Sequence, residues 1–345
     1  MILEPFDFSG VKLRPSLWQR QFEQTRDFYF HISNDDVLHG FRADAGLPAP
    51  GQPLGGWCER DSYQVFGHWL MAMSRASCVN TDTAMREKAG VLMSEWGKTL
   101  DRNPDAAGRC KFQRLLASDE GSHYFFDKVC GGLVDMHHYA HHPEALPLLE
   151  KITDWAVTLL RRDRVPGMAP PYKKADGYPL EWYTLGENLF RAYEVTGVAK
   201  YRAFAEVWLY PDYWDRFIST PRPMNTFGLH AYSHCNTLSS AAMAYGVTGE
   251  AKYLQIIKNA YDFFQDTQCY ATGGYGPAER ILPMDGALGE SLTERTDTFE
   301  SPCGSWAGFK LSKYLIEFTG EAHYGDWIEK LLYNGIGAAL PMTGR

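Results

Sequence analysis

A nine-residue phrase recurs along this chain: YEVTGVAKY at 193–201, YGVTGEAKY at 245–253 and IEFTGEAHY at 316–324. Weaker forms stand at 77–85 (SCVNTDTAM) and 138–146 (HYAHHPEAL). Each phrase closes one helical pattern and opens another. Thr-Gly is a helix stop, because glycine takes the left-handed C′ conformation without a Cβ clash. The alanine that follows begins the next helix. Gly197, Gly249 and Gly320 hold the same place in three copies. The steps between copies, about 50 to 70 residues, are those of a repeated α-hairpin.

Periodicity supports this reading. Phe66, Trp69, Leu70 and Met73 form one apolar stripe at helical spacing, and Cys303, Ala307, Leu311, Tyr314, Leu315 and Phe318 form another. Helices are predicted over 16–32, 62–77, 83–101, 124–139, 143–161, 180–195, 199–209, 234–247, 251–267, 303–318 and 322–333. Few segments read as strands. The links at 34–60, 102–122, 163–178, 211–233 and 269–302 are long and rich in Gly, Pro and aromatic residues, and long ordered loops on a rigid scaffold usually carry function. The expected fold is all-α, an (α/α)6-type toroid of helical hairpins, with 1–345 forming a single α/α-barrel catalytic domain. The rival is an open α-solenoid that binds a protein.

Composition narrows the function classes. The 345 residues are 45% hydrophobic and 22% charged, enough apolar content to bury a core. A net charge of −8 argues against nucleic acid and anionic membrane as main partners. No apolar run approaches the roughly 20 residues that span a bilayer. An aromatic content of 14%, with ten Trp and 20 Tyr, suits a cleft in which rings stack on sugars as well as it suits a core. Seven scattered cysteines do not form a disulfide framework, which indicates a reducing compartment. The start, MILEPFDFSG, shows no basic segment leading an apolar one, so the expected location is cytoplasmic, or periplasmic if a leader has been removed. The oligomeric state is not legible.

Longer phrases carry a family resemblance. DSYQVFGHWLMAMS (61–74), FDKVCGGLVDMHHYAHHPEAL (126–146), LHAYSHCNT (229–237), TGGYGPAER (272–280), FESPCG (299–304) and EKLLYNGIGAAL (329–340) follow one another in a familiar order. The chain resembles the β-L-arabinofuranosidase-like glycoside hydrolases over nearly its whole length. The resemblance implies an (α/α)6 catalytic barrel followed by β-sandwich domains. It also implies retaining hydrolysis at the non-reducing end of an oligosaccharide, with Glu279 as general acid/base. The family's metal-binding Glu-x-Cys is matched by Glu300 and Cys303, one residue further apart. The family's nucleophilic cysteine belongs to a Cys-Cys pair downstream of a Tyr-Asn-Gly helix end. That end is Tyr333-Asn334-Gly335 here, and the 345 residues hold no Cys-Cys pair. The twelfth helix and the β-sandwich have no counterpart either. The sequence is thus a piece of a longer protein or a branch with different chemistry.

The residues themselves suit that assignment unevenly. Ser301 is a good N-cap and Pro302 a good first helical residue, so Cys303 falls in a first turn, where the helix dipole favours a thiolate. With Glu300 it offers two zinc ligands, where zinc takes about four; the bland alternative is a buried cysteine on the apolar stripe. Glu279 follows a Gly-rich turn, and burial in an aromatic cleft would raise its pKa as an acid requires. The bland alternative there is a solvated loop glutamate. His230 and His234, four apart, would share a helix face but lack the HExxH glutamate; the resemblance gives them hydrogen bonds to the sugar. His68 lies off its helix's apolar stripe and would either face the cavity or be an ordinary satisfied histidine. His137, His138, His141 and His142 read as outer-surface residues at a hairpin turn. Trp57 in GGWCERDSY (55–63), Tyr183 in PYKKADGYPLEWY (171–183) and Arg280 would suit a saccharide pocket, the alternative being ordinary loop packing.

The leading expectation is therefore a carbohydrate-active glycoside hydrolase with an oligosaccharide substrate, zinc being the one cofactor considered. A lyase or dehydratase acting on uronic-acid-containing oligosaccharides would instead use His or Tyr as base. A third reading is a non-catalytic saccharide-binding module.

Overall fold

The computed structural model describes residues 2–118, 122–160, 162, 181–224, 226–294, 300 and 302–339. These residues are helical and contain no β-strand. In chain order the α-helices are α1 (Leu17–His31), α2 (Asn34–Asp44), α3 (Tyr63–Cys78), α4 (Thr83–Gly97), α5 (Lys111–Leu116), α6 (Ser122–His138) and α7 (Ala145–Leu159). They continue as α8 (Leu185–Thr196), α9 (Ala199–Val207), α10 (Pro211–Trp214), α11 (Ala231–Thr248), α12 (Ala251–Phe263), α13 (Ala287–Glu294), α14 (Pro302–Thr319) and α15 (Gly325–Lys330).

Every predicted helix has a counterpart. The recurring phrase does the same work in three places. Gly197, Gly249 and Gly320 have φ of 69°, 71° and 70°, and their N–H groups donate to Tyr193, Tyr245 and Ile316 carbonyls. The threonine adds a second device. The hydroxyls of Thr196, Thr248 and Thr319 donate to the carbonyl four residues back, at 2.6, 2.7 and 2.7 Å. Each then accepts the N–H of the residue two further on, at 3.2, 3.2 and 3.1 Å. One hydroxyl thus satisfies an orphan carbonyl of the ending helix and an N–H beside the next.

The predicted links contain helices that periodicity did not reveal. Segment 34–60 opens with α2, whose N-cap Ser33 accepts from Asp35 N–H at 3.2 Å, and which buries Val37, Leu38 and Phe41. Helices α5, α10 and α13 lie in the links at 102–122, 211–233 and 269–302. All are eleven residues or shorter, too brief for a stripe to stand out. The segment at 322–333 is composite: a 3₁₀ turn at Ala322–Tyr324, then α15, then a π-helical turn over Leu331–Ile336. The link at 163–178 and the first ten residues of PYKKADGYPLEWY lie outside the described residues.

Two compact units are distinguished. One comprises 7–162, 191–204 and 341–345; the other 1–6, 163–190 and 205–340. In the first, α3 and α6 pack at glycine. A Cβ on Gly67 would lie 2.1 Å from the Lys128 carbonyl, and one on Gly132 would lie 2.9 Å from the Gly67 carbonyl oxygen. Phe66, Leu70, Trp96, Phe126 and Leu133 fill the core around this contact. Asp135, fully buried, is held between Arg75 at 2.6 Å and Arg191. In the second unit, α11 is the central helix. Residues 231–244 are all buried, so it has no solvent face, and α12 and α14 flank it. Its hydroxyl residues therefore need partners inside the protein.

Candidate active site

The second unit gathers most of the candidate residues. Ser233, Thr237 and Ser240 recur at steps of four and three, one face of α11. That face holds the segment leading into α8. Tyr183 Oη and Ser233 Oγ are hydrogen-bonded at 2.8 Å. Thr237 Oγ1 donates to the Tyr183 carbonyl and receives Trp214 Nε1–H at 3.1 Å. Ser240 Oγ donates to the Thr184 carbonyl and accepts Glu187 N–H. The Glu187 carboxylate is satisfied in turn by Lys310 and, at 3.2 Å, by Tyr314 Oη–H.

His230 is the N-cap residue of α11, not a helical one. Its Nδ1 lies 2.9 Å from Ser233 Oγ and 3.4 Å from Glu181 Oε1. Glu181 is 8% exposed and left-handed, with φ 40° and ψ 34°. Its other oxygen, Oε2, is buried without a hydrogen bond. Opposite His230, Arg280 forms an isolated antiparallel bridge, extended by Ile281 N–H to Leu229 O and Gly228 N–H to Ile281 O, each 2.9 Å. This short ladder pins the Pro277–Glu279 turn. Ala278 and Glu279 are both left-handed, with φ of 51° and 60°. Such conformations cost of order 1 kcal/mol or more each for residues with a Cβ, and persist where neighbours over-determine them.

Glu279 is solvent-exposed at the tip of this turn, so the expected enclosure in an aromatic cleft is corrected. Gly273, Gly274, Gly276 and Pro277 precede it, with Gly276 at φ 78°. Arg280 is half-buried.

His234 departs further from expectation. It has no exposure, its Nδ1 bonds the His230 carbonyl at 3.0 Å, and Tyr183, Tyr210 and Tyr213 surround it at ring distances of 4.7, 6.1 and 4.9 Å. Burial lowers its pKa to about 3. The expected sugar contact is not open to a side chain so enclosed. Spacing of four puts two residues on one face only when both are helical, and the chain turns at His230. Tyr183 is likewise fully buried, with its hydroxyl held by Ser233.

Glu300 and Cys303 meet the Gly-rich hairpin from the other side. Glu300 accepts Thr272 Oγ1–H, and a Cβ on Gly274 would lie 2.1 Å from Glu300 Oε2. Only glycine admits the carboxylate there. Tyr275 Oη–H donates to Gly304 O at 3.2 Å, tying the hairpin to the first turn of α14. Cys303 in that turn is exposed, unlike the buried apolar cysteine that its stripe position allows. The predicted cap Ser301 lies outside the described residues. Among the described residues no group of three or more His, Cys, Asp or Glu side chains is placed to hold a metal ion. Glu300 and Cys303 would supply two of the roughly four donors that zinc takes.

The remaining candidates belong to the other unit. His68 Nε2 bonds Tyr124 Oη at 3.0 Å. Beside it the buried pair Lys128–Asp127 closes at 2.7 Å, with the ammonium 4.9 Å from the Tyr124 ring centre. Trp57 is 85% exposed on the tight Gly55–Cys58 turn. His138 and His141 are exposed and His137 and His142 half-buried, as outer-surface residues would be. None of the seven cysteines is in a disulfide.

Glu181 and Ser233 were not singled out by the sequence reading. The available signal was the Ser/Thr series on a helix without a polar face, which requires buried partners.

The profile of the "Beta-L-arabinofuranosidase, GH127 catalytic domain" family matches residues 10–345. Ara127N, a GH127 β-L-arabinofuranosidase from Geobacillus stearothermophilus T6, is similar in structure, with TM-score 0.64 and 18% identity, covering 95% of this chain and 56% of that one. A second GH127 β-arabinofuranosidase gives TM-score 0.62 and 18% identity over 96% of this chain and 54% of its own. A structure described as a glycoside hydrolase gives 0.56 and 16% over 91% and 55%. These likenesses show the fold, all-α and of the (α/α)6-barrel class. The chain spans a little over half the length of the solved structures it matches. No curated protein matches it.

Proposed function

The chain belongs to the GH127 β-L-arabinofuranosidase catalytic-domain family, and on that premise we propose that it serves glycoside hydrolysis of the β-L-arabinofuranosidase type, at the non-reducing end of an oligosaccharide. The observation that carries the reading is the Glu279 turn. A carboxyl group is held outward on two consecutive left-handed residues, and the ladder to His230 fixes that posture. A general acid must be presented to the leaving oxygen without reorganising, and pinning its backbone achieves this.

In this reading Glu279 donates its proton to the glycosidic oxygen as the bond breaks. Water then completes hydrolysis, with Glu279 taking a proton back. Arg280, half-buried on the same ladder, lies next to the acid in the chain. His230, bridged to Arg280, is held by Ser233. No comparison supports elimination or a purely binding role.

The test is product mass. Incubated with a β-L-arabinofuranosyl disaccharide, the protein should release free arabinose, with the mass of one water added across the bond. A product lighter by 18 mass units with the chain uncut would indicate dehydration, and an unchanged substrate would indicate binding alone.

A further inference from the structure

Resting on the hydrolase reading above, we propose that Glu181 is a substrate-binding residue whose Oε2 accepts a hydrogen bond from a ring or exocyclic hydroxyl of the sugar bound beside Glu279. Nothing in the family resemblance singles out this residue.

Three observations in one unit converge on it. The first is the carboxylate itself. Glu181 is more than nine-tenths buried, Oε1 faces His230 Nδ1 at 3.4 Å, and Oε2 has no hydrogen bond. The large majority of buried polar atoms are hydrogen-bonded. Glu187, six residues on, shows that arrangement, with one oxygen taken by Lys310 and the other by Tyr314. Glu181 has half of it. The second is the backbone. Glutamate seldom adopts φ 40°, ψ 34°, and nothing about a structural turn calls for a carboxylate there. The third is position. The His230 side chain that meets Oε1 belongs to the residue bridged to Arg280, the direct neighbour of Glu279. The chain Tyr183–Ser233–His230 lies on the Oε1 side, and Oε2 is left buried without a hydrogen bond. A carboxylate oxygen is acceptor only, so the ligand must bring a hydrogen. In a neutral sugar that donor is a hydroxyl.

The experiment uses the 345-residue chain, two variants and a substrate series. The substrates are 4-nitrophenyl β-L-arabinofuranoside and its 2-, 3- and 5-deoxy analogues. Glu181→Gln keeps the size of the side chain and weakens its acceptor. Its kcat/KM on the parent substrate should fall roughly 10- to 100-fold, the range of one hydrogen bond to a charged group. On one deoxy analogue, the one lacking the accepted hydroxyl, the variant should equal wild type. Glu181→Gly removes the carboxylate and relieves the left-handed backbone. It should lose activity similarly while melting at or above the wild-type temperature. A purely structural glutamate predicts the opposite: lower melting for the glycine variant and equal losses on every substrate. Either of those results, or a glutamine variant as active as wild type, overturns the proposal. A wild-type protein that cleaves none of the substrates removes the hydrolase reading and the Glu181 role with it. That failure is told apart by the silence of the unmutated chain.

Discussion

His234 shows how a single residue can be misplaced by spacing alone. Four residues from His230, it has the separation of a metal pair or a double sugar contact. In the protein the helix begins between them, and one histidine faces Glu181 while the other enters a cage of tyrosines. Its pKa, lowered to about 3 by burial, has a consequence for stability. The unfolded chain takes up a proton near pH 6.5, whereas the folded one resists until about 3. The unfolded state therefore binds more protons in that window. Stability is full above about 6.5 and falls as the pH drops, with a slope approaching about 1.4 kcal/mol per pH unit. Melting temperature should show this decline, and His234→Gln should make it shallower, with the remainder carried by His123, whose burial lowers its pKa to about 4. An unchanged pH profile in that variant would place the acid sensitivity elsewhere. Glu279 and Cys303 stand in motifs, so the sequence offered them as candidates. Glu181 was not among them, because its signal is conformational and its partners lie about 50 residues away.

At the scale of elements, the Thr-Gly phrase was the most informative text in the sequence, and the reason is chemical. Glycine supplies the turn and threonine supplies both a donor and an acceptor across it. A device that satisfies two backbone groups with one hydroxyl is specific enough to read. Helix α2 ends on the left-handed Gly46, at φ 68°, without the threonine, and its apolar residues span barely one turn, so periodicity did not reveal it. The account makes a direct prediction here. Thr248→Val keeps the shape but loses the bonds to Ala244 O and Glu250 N–H, and should cost about 1 to 2 kcal/mol. Thr248→Ser should keep most of it. Chemical denaturation would measure both, and equal stability of the valine and serine variants would contradict the role given to the hydroxyl.

For the whole molecule, repeats, long links and family phrases together pointed to helical hairpins, and the likeness to solved structures shows that fold. The functional account rests on fewer residues, with Glu279 at its centre. The most direct measurement compares Glu279→Gln with wild type on leaving groups of different basicity. A dinitrophenyl arabinofuranoside departs without protonation, whereas an alkyl arabinofuranoside or a disaccharide needs a proton on the departing oxygen. If Glu279 is the general acid, the variant should lose about 10²- to 10⁴-fold in kcat on the disaccharide and far less on the dinitrophenyl substrate. Equal losses on both substrates, or normal turnover of the disaccharide, would contradict it.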